Sequence, residues 1–367
     1  MKKKSLLFSF FLGCVLSWGN SVAQEKRVTI VTRGMSFVSL EERQQTNGEA
    51  ISPERTTGNI SFRYAAAKAV PGVVHIIATY QPGFKEEEVD SSLDLSVSSL
   101  HPTVTTGSAS GVIITPDGYI VTNYHVVHKS ASIKVILANQ NTFKAEVVGM
   151  DALTDIALLK INAQQLPFIR FGSLDDVAVG DWVLAIGSPL GMTSTVTAGI
   201  ISMKSRVFTD QEDQGSLSSF IQTDAVMNGG NSGGALVDIN GKLIGVNIAI
   251  LTPTGNFAGY SFAIPVEVVK KVCNDLLRNG QALHASLGVY VANVPEKYGV
   301  YVYKLLEGSP AVKAGIQMMD VITEIDNREI QRVGDMQQVM ILHHPGDKIL
   351  LKILRKGKLV NCDAILK

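Results

Sequence analysis

Between Val73 and Pro265 the chain is written in short β-branched runs separated by turn signals, with few stretches of helical period. Val73-Val74-His75-Ile76-Ile77, Gly111-Val112-Ile113-Ile114, Tyr119-Ile120-Val121, Ile133 to Leu137, Trp182 to Ile186 and Leu243-Ile244-Gly245-Val246 are typical. Turns fall at Pro116-Asp117-Gly118 and Asn240-Gly241. Side chains alternate across a strand, so many short strands must close into a barrel or pair as a sandwich to bury one face. Two polar gaps interrupt the pattern, Gln81–Thr106 with Glu86-Glu87-Glu88, and Ser205–Ser219 with Asp210, Glu212 and Asp213. Loops of that length inside a packed β unit are functional or disordered.

The β-rich stretch has clear limits. A short helix over Phe62–Ala69 runs into Val70-Pro71-Gly72 and precedes it. An amphipathic helix over Val266–Arg278, capped by Asn279-Gly280, follows it and marks a domain boundary. Residues 285–367 then read as a small α+β module, with strands at Gly299–Tyr303, Val321–Ile325 and Lys348–Leu354 and helices at Ser309–Ala314 and Val333–Leu342. At the other end, Lys2-Lys3-Lys4, the apolar run Ser5–Leu16 and the small residues of Ser21-Val22-Ala23 read as an export signal, residues 1–23, cut after Ala23. The apolar run is shorter than the roughly 20 residues a spanning helix needs. Lipid or membrane tethering, through Leu12-Gly13-Cys14, is the alternative, disfavoured by Phe11 where a Leu is wanted. Residues 24–58 are polar and weakly periodic and read as a flexible spacer.

Charge excludes one class of partner. Lys+Arg and Asp+Glu are equal at 33 each, and no basic stripe follows the first residues, so there is no electrostatic footprint for nucleic acid. Beyond the signal only Cys273 and Cys362 remain, which is no disulfide framework, and no Cys/His cluster has metal-ligand spacing. No metal or cofactor is expected. His343-His344 would diverge on any regular element and reads as a solvated loop pair.

The chemistry-bearing residues fall in the β unit. Asn228-Gly229-Gly230-Asn231-Ser232-Gly233-Gly234 sets a serine on a tight turn, where its hydroxyl stands clear and backbone N–H groups converge. A serine hydroxyl needs a neighbouring base to become a nucleophile. His125, after Val121-Thr122-Asn123-Tyr124, can supply it, and Asp155, before Ile156-Ala157-Leu158-Leu159, can hold the imidazole in the required tautomer. The order His125, Asp155, Ser232 is that of chymotrypsin-type enzymes, not of subtilisins or α/β-hydrolases. The N–H groups of Gly230 and Ser232 are the candidate oxyanion hole, with glycine at 230 needed because a side chain there would obstruct the turn. His75, His101, His128 and His284 lack comparable settings and read as structural or exposed.

With these residues in place the chain resembles the HtrA/Deg family of exported trypsin-like serine proteases with a single C-terminal PDZ domain. Gly107–Ile114, Val121–Val127, Thr154–Ile161, Val179–Pro189, Phe220–Ala225, the Ser232 motif and Tyr260–Pro265 carry the resemblance, which covers about residues 62–366. It implies a mainly β fold, a chymotrypsin-like double six-stranded β-barrel over 59–280 followed by a small α+β PDZ domain over 285–367. The triad would lie in the cleft between the barrels. PDZ domains bind a peptide C-terminus by strand addition, and Ser286, Leu287, Gly288 and Val289 match the family's carboxylate-gripping loop. Met319 stands where a glycine usually precedes Asp320, so that turn is expected to differ locally. Gly229 replaces a residue often Pro or Arg in the family, which suggests an oxyanion loop that orders only on ligand binding.

The expected function is therefore ATP-independent serine endopeptidase activity on unfolded or damaged exported proteins, a form of envelope quality control in the periplasm, with peptides ending in hydrophobic residues binding the PDZ domain and activating the protease. No phosphate loop of the GxxxxGK[ST] type is present, in keeping with energy-independent action. The alternatives are a stress-sensing regulatory protease, or a chaperone or peptide-binding protein with limited proteolysis. The family implies a homotrimer or a higher multiple, with Phe62 and Tyr64 as candidate joining aromatics.

Overall fold

The computed structural model describes residues 38–45, 61–80, 106–188, 194–206, 219–228, 230–248, 259–295 and 299–367. The export signal, His101, Gly229 and most of both polar gaps lie outside the described residues.

The β-rich stretch forms two closed barrels of six strands each. Helices α1 (Leu40–Gln45) and α2 (Arg63–Ala69) precede the first barrel. Its strands are β1 (Val73–Tyr80), β2 (Thr106–Ile113), β3 (Tyr119–Thr122), then after the one-turn helix α3 (Tyr124–Val127), β4 (Ser130–Ile136), β5 (Thr142–Asp151) and β6 (Ile156–Ile161). They close in the order β1-β2-β3-β6-β5-β4. The second barrel uses β7 (Trp182–Gly187), β8 (Thr195–Arg206), β9 (Phe220–Thr223), β10 (Ala235–Asp238), β11 (Leu243–Ile248) and β12 (Ser261–Pro265). Closure, with every neighbour antiparallel, leaves neither barrel with an open edge. Helix α4 (Val266–Asn279) follows directly, and Gly280 takes a φ of 73° as its cap.

Burial divides this unit into three cores. Val74, Ile76, Ile120, Val135 and Leu159 fill the first barrel, and Val183, Ile201, Ile221 and Ile244 fill the second. Between the barrels lies a third and larger cluster. It joins Val121 and Ile156 of the first barrel, Ile186 and Ala235 of the second, and Val269, Val272 and Cys273 of α4. Burial pushes the Cys273 thiol far up in pKa, so it stays protonated.

The spacer read over 24–58 is interrupted. Leu40 is fully buried in the inter-barrel cluster, and Gln44 is buried beside it. The physical reason is local: Ser39 and Glu42 exchange hydrogen bonds as a capping box, so this short stretch starts a helix despite its polar surroundings.

The C-terminal module contains β13 (Val289–Asn293), β14 (Val300–Leu305), α5 (Pro310–Lys313), β15 (Val321–Ile325), β16 (Arg328–Glu329), α6 (Val333–Met340), β17 (Lys348–Arg355) and β18 (Lys358–Ile365). Its sheet runs β13-β14-β15-β17-β18, with Val300, Ile322, Ile349, Leu351 and Ile353 in its own core. Helix α6 also meets the second barrel: Ser205 Oγ donates to Asp335 Oδ1 at 2.5 Å, and Gln338 Nε2 to the Lys204 carbonyl at 3.0 Å. His344 corrects the reading of a solvated pair, since its Nε2 lies 2.8 Å from Oδ1 of Asp275 on α4. His343 instead bridges Asp326 and Asp347. The aspartates draw the two adjacent histidines toward different partners.

Candidate active site

The candidate acid–base pair is built by the first barrel. β3 ends at Thr122, and the chain turns at once into α3, which holds His125. Asp155, just before β6, has a φ of 55°, a left-handed backbone that Asp tolerates better than most residues. In that conformation its carbonyl accepts from Tyr124 N–H and Asn123 Nδ2, both at 3.1 Å. Its Oδ1 accepts from His125 N–H at 3.0 Å. The imidazole Nδ1 then lies 2.8 Å from Oδ2 and 3.0 Å from Oδ1. An ionised carboxylate can only accept, so Nδ1 carries the proton and Nε2 presents the basic lone pair.

A second aspartate supports that turn. Asp151 Oδ2 accepts from Thr154 N–H at 3.1 Å and from Thr154 Oγ1 at 2.5 Å, and its Oδ1 lies 3.0 Å from His284 Nε2. Burial favours the neutral form of Asp151, but the bonds from His284 and Thr154 outweigh it and hold the carboxyl below its usual range.

The candidate nucleophile belongs to the second barrel. Gly230 and Gly233 have φ of 86° and 79°, so glycine at 230 is favoured by its left-handed backbone. Gly233 N–H donates to the Asn247 carbonyl and Gly234 N–H to that of Asn231, each at 2.9 Å. Ser110 of β2 ties this turn to the first barrel. Its N–H donates to the Ser232 carbonyl at 2.9 Å and its Oγ to the Gly230 carbonyl at 2.6 Å. Its own carbonyl accepts from Thr122 Oγ1 at 2.8 Å, three residues before His125. A Cβ on Gly233 would overlap the Ser110 carbonyl and Thr122 Oγ1, so only glycine lets the two strands meet here.

His125 and Asp155 are thus joined directly, while Ser232 reaches the same seam through Ser110 and Thr122. The serine does not stand clear: folded against Ser110, it is fully buried, and its Oγ has no hydrogen-bond partner among the described residues. The N–H groups of Gly230 and Ser232 likewise have no backbone acceptor among the described residues.

Comparison with known proteins agrees with this fold. Residues 109–246 match the trypsin-like peptidase domain, and residues 285–366 match the PDZ domain. A probable periplasmic serine endoprotease, DegP-like, from Chlamydia trachomatis is 36% identical over 353 residues, 86% of this chain and 69% of its own length. The chain belongs to the HtrA/DegP-like family of serine proteases. Its counterpart from Chlamydia muridarum is 34% identical, over 89% of this chain and 71% of the relative. The solved HtrA-type protease AlgW with a tripeptide superposes with a TM-score of 0.64 at 34% identity, covering 83% of this chain and 96% of that one. As an HtrA-type serine endopeptidase, the chain has the double-barrel fold and a peptide-binding module downstream.

In that module residues 286–288 form a loop that leads into Val289, the first residue of β13, and is held by backbone bonds. Ser286 and Lys367 exchange backbone hydrogen bonds, and the Leu287 carbonyl accepts from Ala311 N–H at 3.0 Å. Gly288 has a φ of 75°, and a Cβ there would overlap Ser309. Met319 adopts a φ of 70°, so the turn keeps the left-handed backbone a glycine would take, with the side chain exposed. Of the remaining histidines, His75 is buried 2.9 Å from Ser108 Oγ, burial lowering its pKa, and His128 stacks on Tyr124 at 4.5 Å. His284 is bonded to Asp151. Sequence reasoning missed Ser110 and Asp151 as supports. Asp151 had a readable signal, an Asp followed three residues later by Thr, which is a side-chain-to-backbone turn. Ser110 had none, since its partners are distant in the chain.

Proposed function

We propose that Ser232 attacks the carbonyl of a peptide bond, with His125 Nε2 taking the hydroxyl proton and returning it to the leaving amine. Asp155 fixes the tautomer and stabilises the imidazolium. The N–H groups of Gly230 and Ser232 receive the developing oxyanion, each such donor being worth about 10²–10³ in rate. The observation that carries this reading is the imidazole Nδ1 held by both Asp155 oxygens, which puts the basic lone pair on Nε2. In the substrate complex His125 Nε2 accepts the Ser232 hydroxyl proton, in a geometry that tightens as catalytic hydrogen bonds do.

The substrates are unfolded or damaged exported polypeptides, cut without ATP in periplasmic quality control. Relatives named probable periplasmic serine endoproteases support this compartment and the endopeptidase activity. Peptides ending in hydrophobic residues bind along β13, with their carboxylate at Ser286, Leu287, Gly288 and Val289, and activate the enzyme. The domain limits are 1–23 for the signal, 59–280 for the protease and 285–367 for the PDZ domain. The working assembly is a homotrimer joined near Phe62 and Tyr64, a region where Phe62 packs on the exposed Trp182 with ring centroids 5.2 Å apart.

Digestion of unfolded casein by wild type and by Ser232→Ala, with and without such peptides, tests the reading. Cleavage by the wild type alone, stimulated by peptide, is expected. Casein left intact by the wild type under every condition, or cut equally by both proteins, would overturn it.

A further inference from the structure

Helix α1 packs into a groove remote in sequence from both the serine turn and the PDZ loop. Its floor is the seam where the two barrels are joined. The crossover between β6 and β7 passes that seam: Ile169 N–H donates to the Ile113 carbonyl of the first barrel at 3.0 Å, and Leu243 of the second donates to the Arg170 carbonyl at 2.8 Å. Gln44 completes it. Its Nε2 donates to the Ile114 and Ile169 carbonyls at 3.0 and 3.3 Å, and its Oε1 accepts from Phe171 N–H at 3.0 Å. Those three backbone groups have no other hydrogen-bond partner among the described residues. Buried backbone groups left unpaired are costly, so the groove is built to receive an amide side chain.

The other contacts fix the identity and direction of the occupant. Leu40, one helical turn before Gln44, enters the apolar cluster between the barrels. Asn274 of α4 holds the start of the turn: its Oδ1 accepts from Leu40 N–H at 3.1 Å, and its Nδ2 donates to the Glu41 carboxylate Oε2 at 3.0 Å. Arg43 pairs with Asp117 at 2.9 Å and lies 5.2 Å over the Tyr119 ring. The groove therefore reads Leu, Glu, Arg and Gln on one helical turn. A helix of this length does not persist alone in water, so α1 is ordered by the groove, as a bound ligand would be.

We propose that this groove is a second peptide-docking site, whose ligand is the chain's own Leu40–Gln44 turn, and that seating this turn aligns the barrel carrying His125 and Asp155 with the one carrying Ser232. The same apolar cluster that receives Leu40 contains Val121, Ile156 and Ala235, on the strands that lead to His125, follow Asp155 and follow Ser232. Loss of the ligand loosens that cluster and three seam hydrogen bonds together. The docking claim stands apart from the proposed reaction; only its effect on rate rests on that reading.

The test uses the full-length chain carrying L40A and Q44A, and a fluorescent peptide of residues 36–47. The peptide is expected to bind the double variant saturably and the wild type, whose groove is filled, far more weakly. Peptides with Ala at the Leu40 or Gln44 position should fail. In full-length Gln44→Ala alone, exchange of the Phe171 amide should accelerate about five- to tenfold, the loss of one buried hydrogen bond. Casein cleavage by the double variant should fall mainly in kcat and recover on adding the native peptide. Equal peptide binding to wild type and double variant, indifference to the Leu and Gln substitutions, or an unchanged Phe171 exchange rate would each overturn the proposal. Restored binding without restored kcat would overturn the alignment claim.

Discussion

The two barrels prepare their halves of the site differently. The first fixes its half by short-range geometry: a left-handed aspartate returns its carbonyl and carboxylate to Asn123, Tyr124 and His125, and every bond of the dyad is made. The second presents a buried serine whose hydroxyl is unpaired among the described residues. Its turn is placed by glycines and by a tie to Ser110 across the seam. An acid–base pair can be completed within one barrel, whereas a nucleophile must be aligned across two. Control over activity is therefore expected to act on the serine side.

Substitutions can break this contrast. The largest effect is expected from Ser232→Ala, a fall of roughly 10⁶ in kcat with the fold unchanged, measured by single-turnover cleavage with thermal melting as the control. Asp155→Asn should come next, at about 10⁴, because an amide can donate to the imidazole and select the wrong tautomer. Ser110→Ala removes the hydroxyl that bonds the Gly230 carbonyl and accepts from Ser188 N–H, leaving His125 and Asp155 untouched. A drop of about 10- to 100-fold is expected, in line with 1.4 kcal/mol per tenfold and about one to two hydrogen bonds. NMR should show the His125 imidazole signal unmoved. A shifted His125 signal would mean that the two halves are not separable as described.

The smallest effect is a pH dependence on the acid–base side. Asp151 has a pKa below its ordinary 3.8, because bonds from His284 and Thr154 outweigh burial. A carboxyl lowered in the folded state stabilises it fully above the unfolded value and progressively less as pH falls through the folded one. The turn beneath Asp155 should hold at neutral pH and loosen only below about pH 4. Asp151→Asn should flatten that acid limb of the melting temperature. A limb unchanged in the variant would assign the acid sensitivity elsewhere.

How much of this was legible in the sequence follows from the range of each interaction. Strand periodicity and the cap at Gly280 are local patterns, and the structure contains them; the order His125, Asp155, Ser232 is read directly from the chain. Closure into barrels rather than a sandwich was not readable from period two, which both share. Ser110 and Gln44 escaped notice because each acts on backbone groups far away in sequence. The burial of Leu40 was half-visible: Ser39 and Glu42 form a readable helix start, but nothing local says what the turn packs against. Met319 was expected to alter its turn, and instead takes the left-handed backbone itself.

The most direct test of the central claim, that Ser232 is the nucleophile served by His125 and Asp155, is labelling with a serine-directed phosphonate followed by peptide mass mapping. A single adduct on Ser232 is predicted, absent in Ser232→Ala and formed at least about 10³-fold more slowly in Asp155→Asn. An adduct on another residue, or labelling of Ser232 at an undiminished rate in Asp155→Asn, would contradict it.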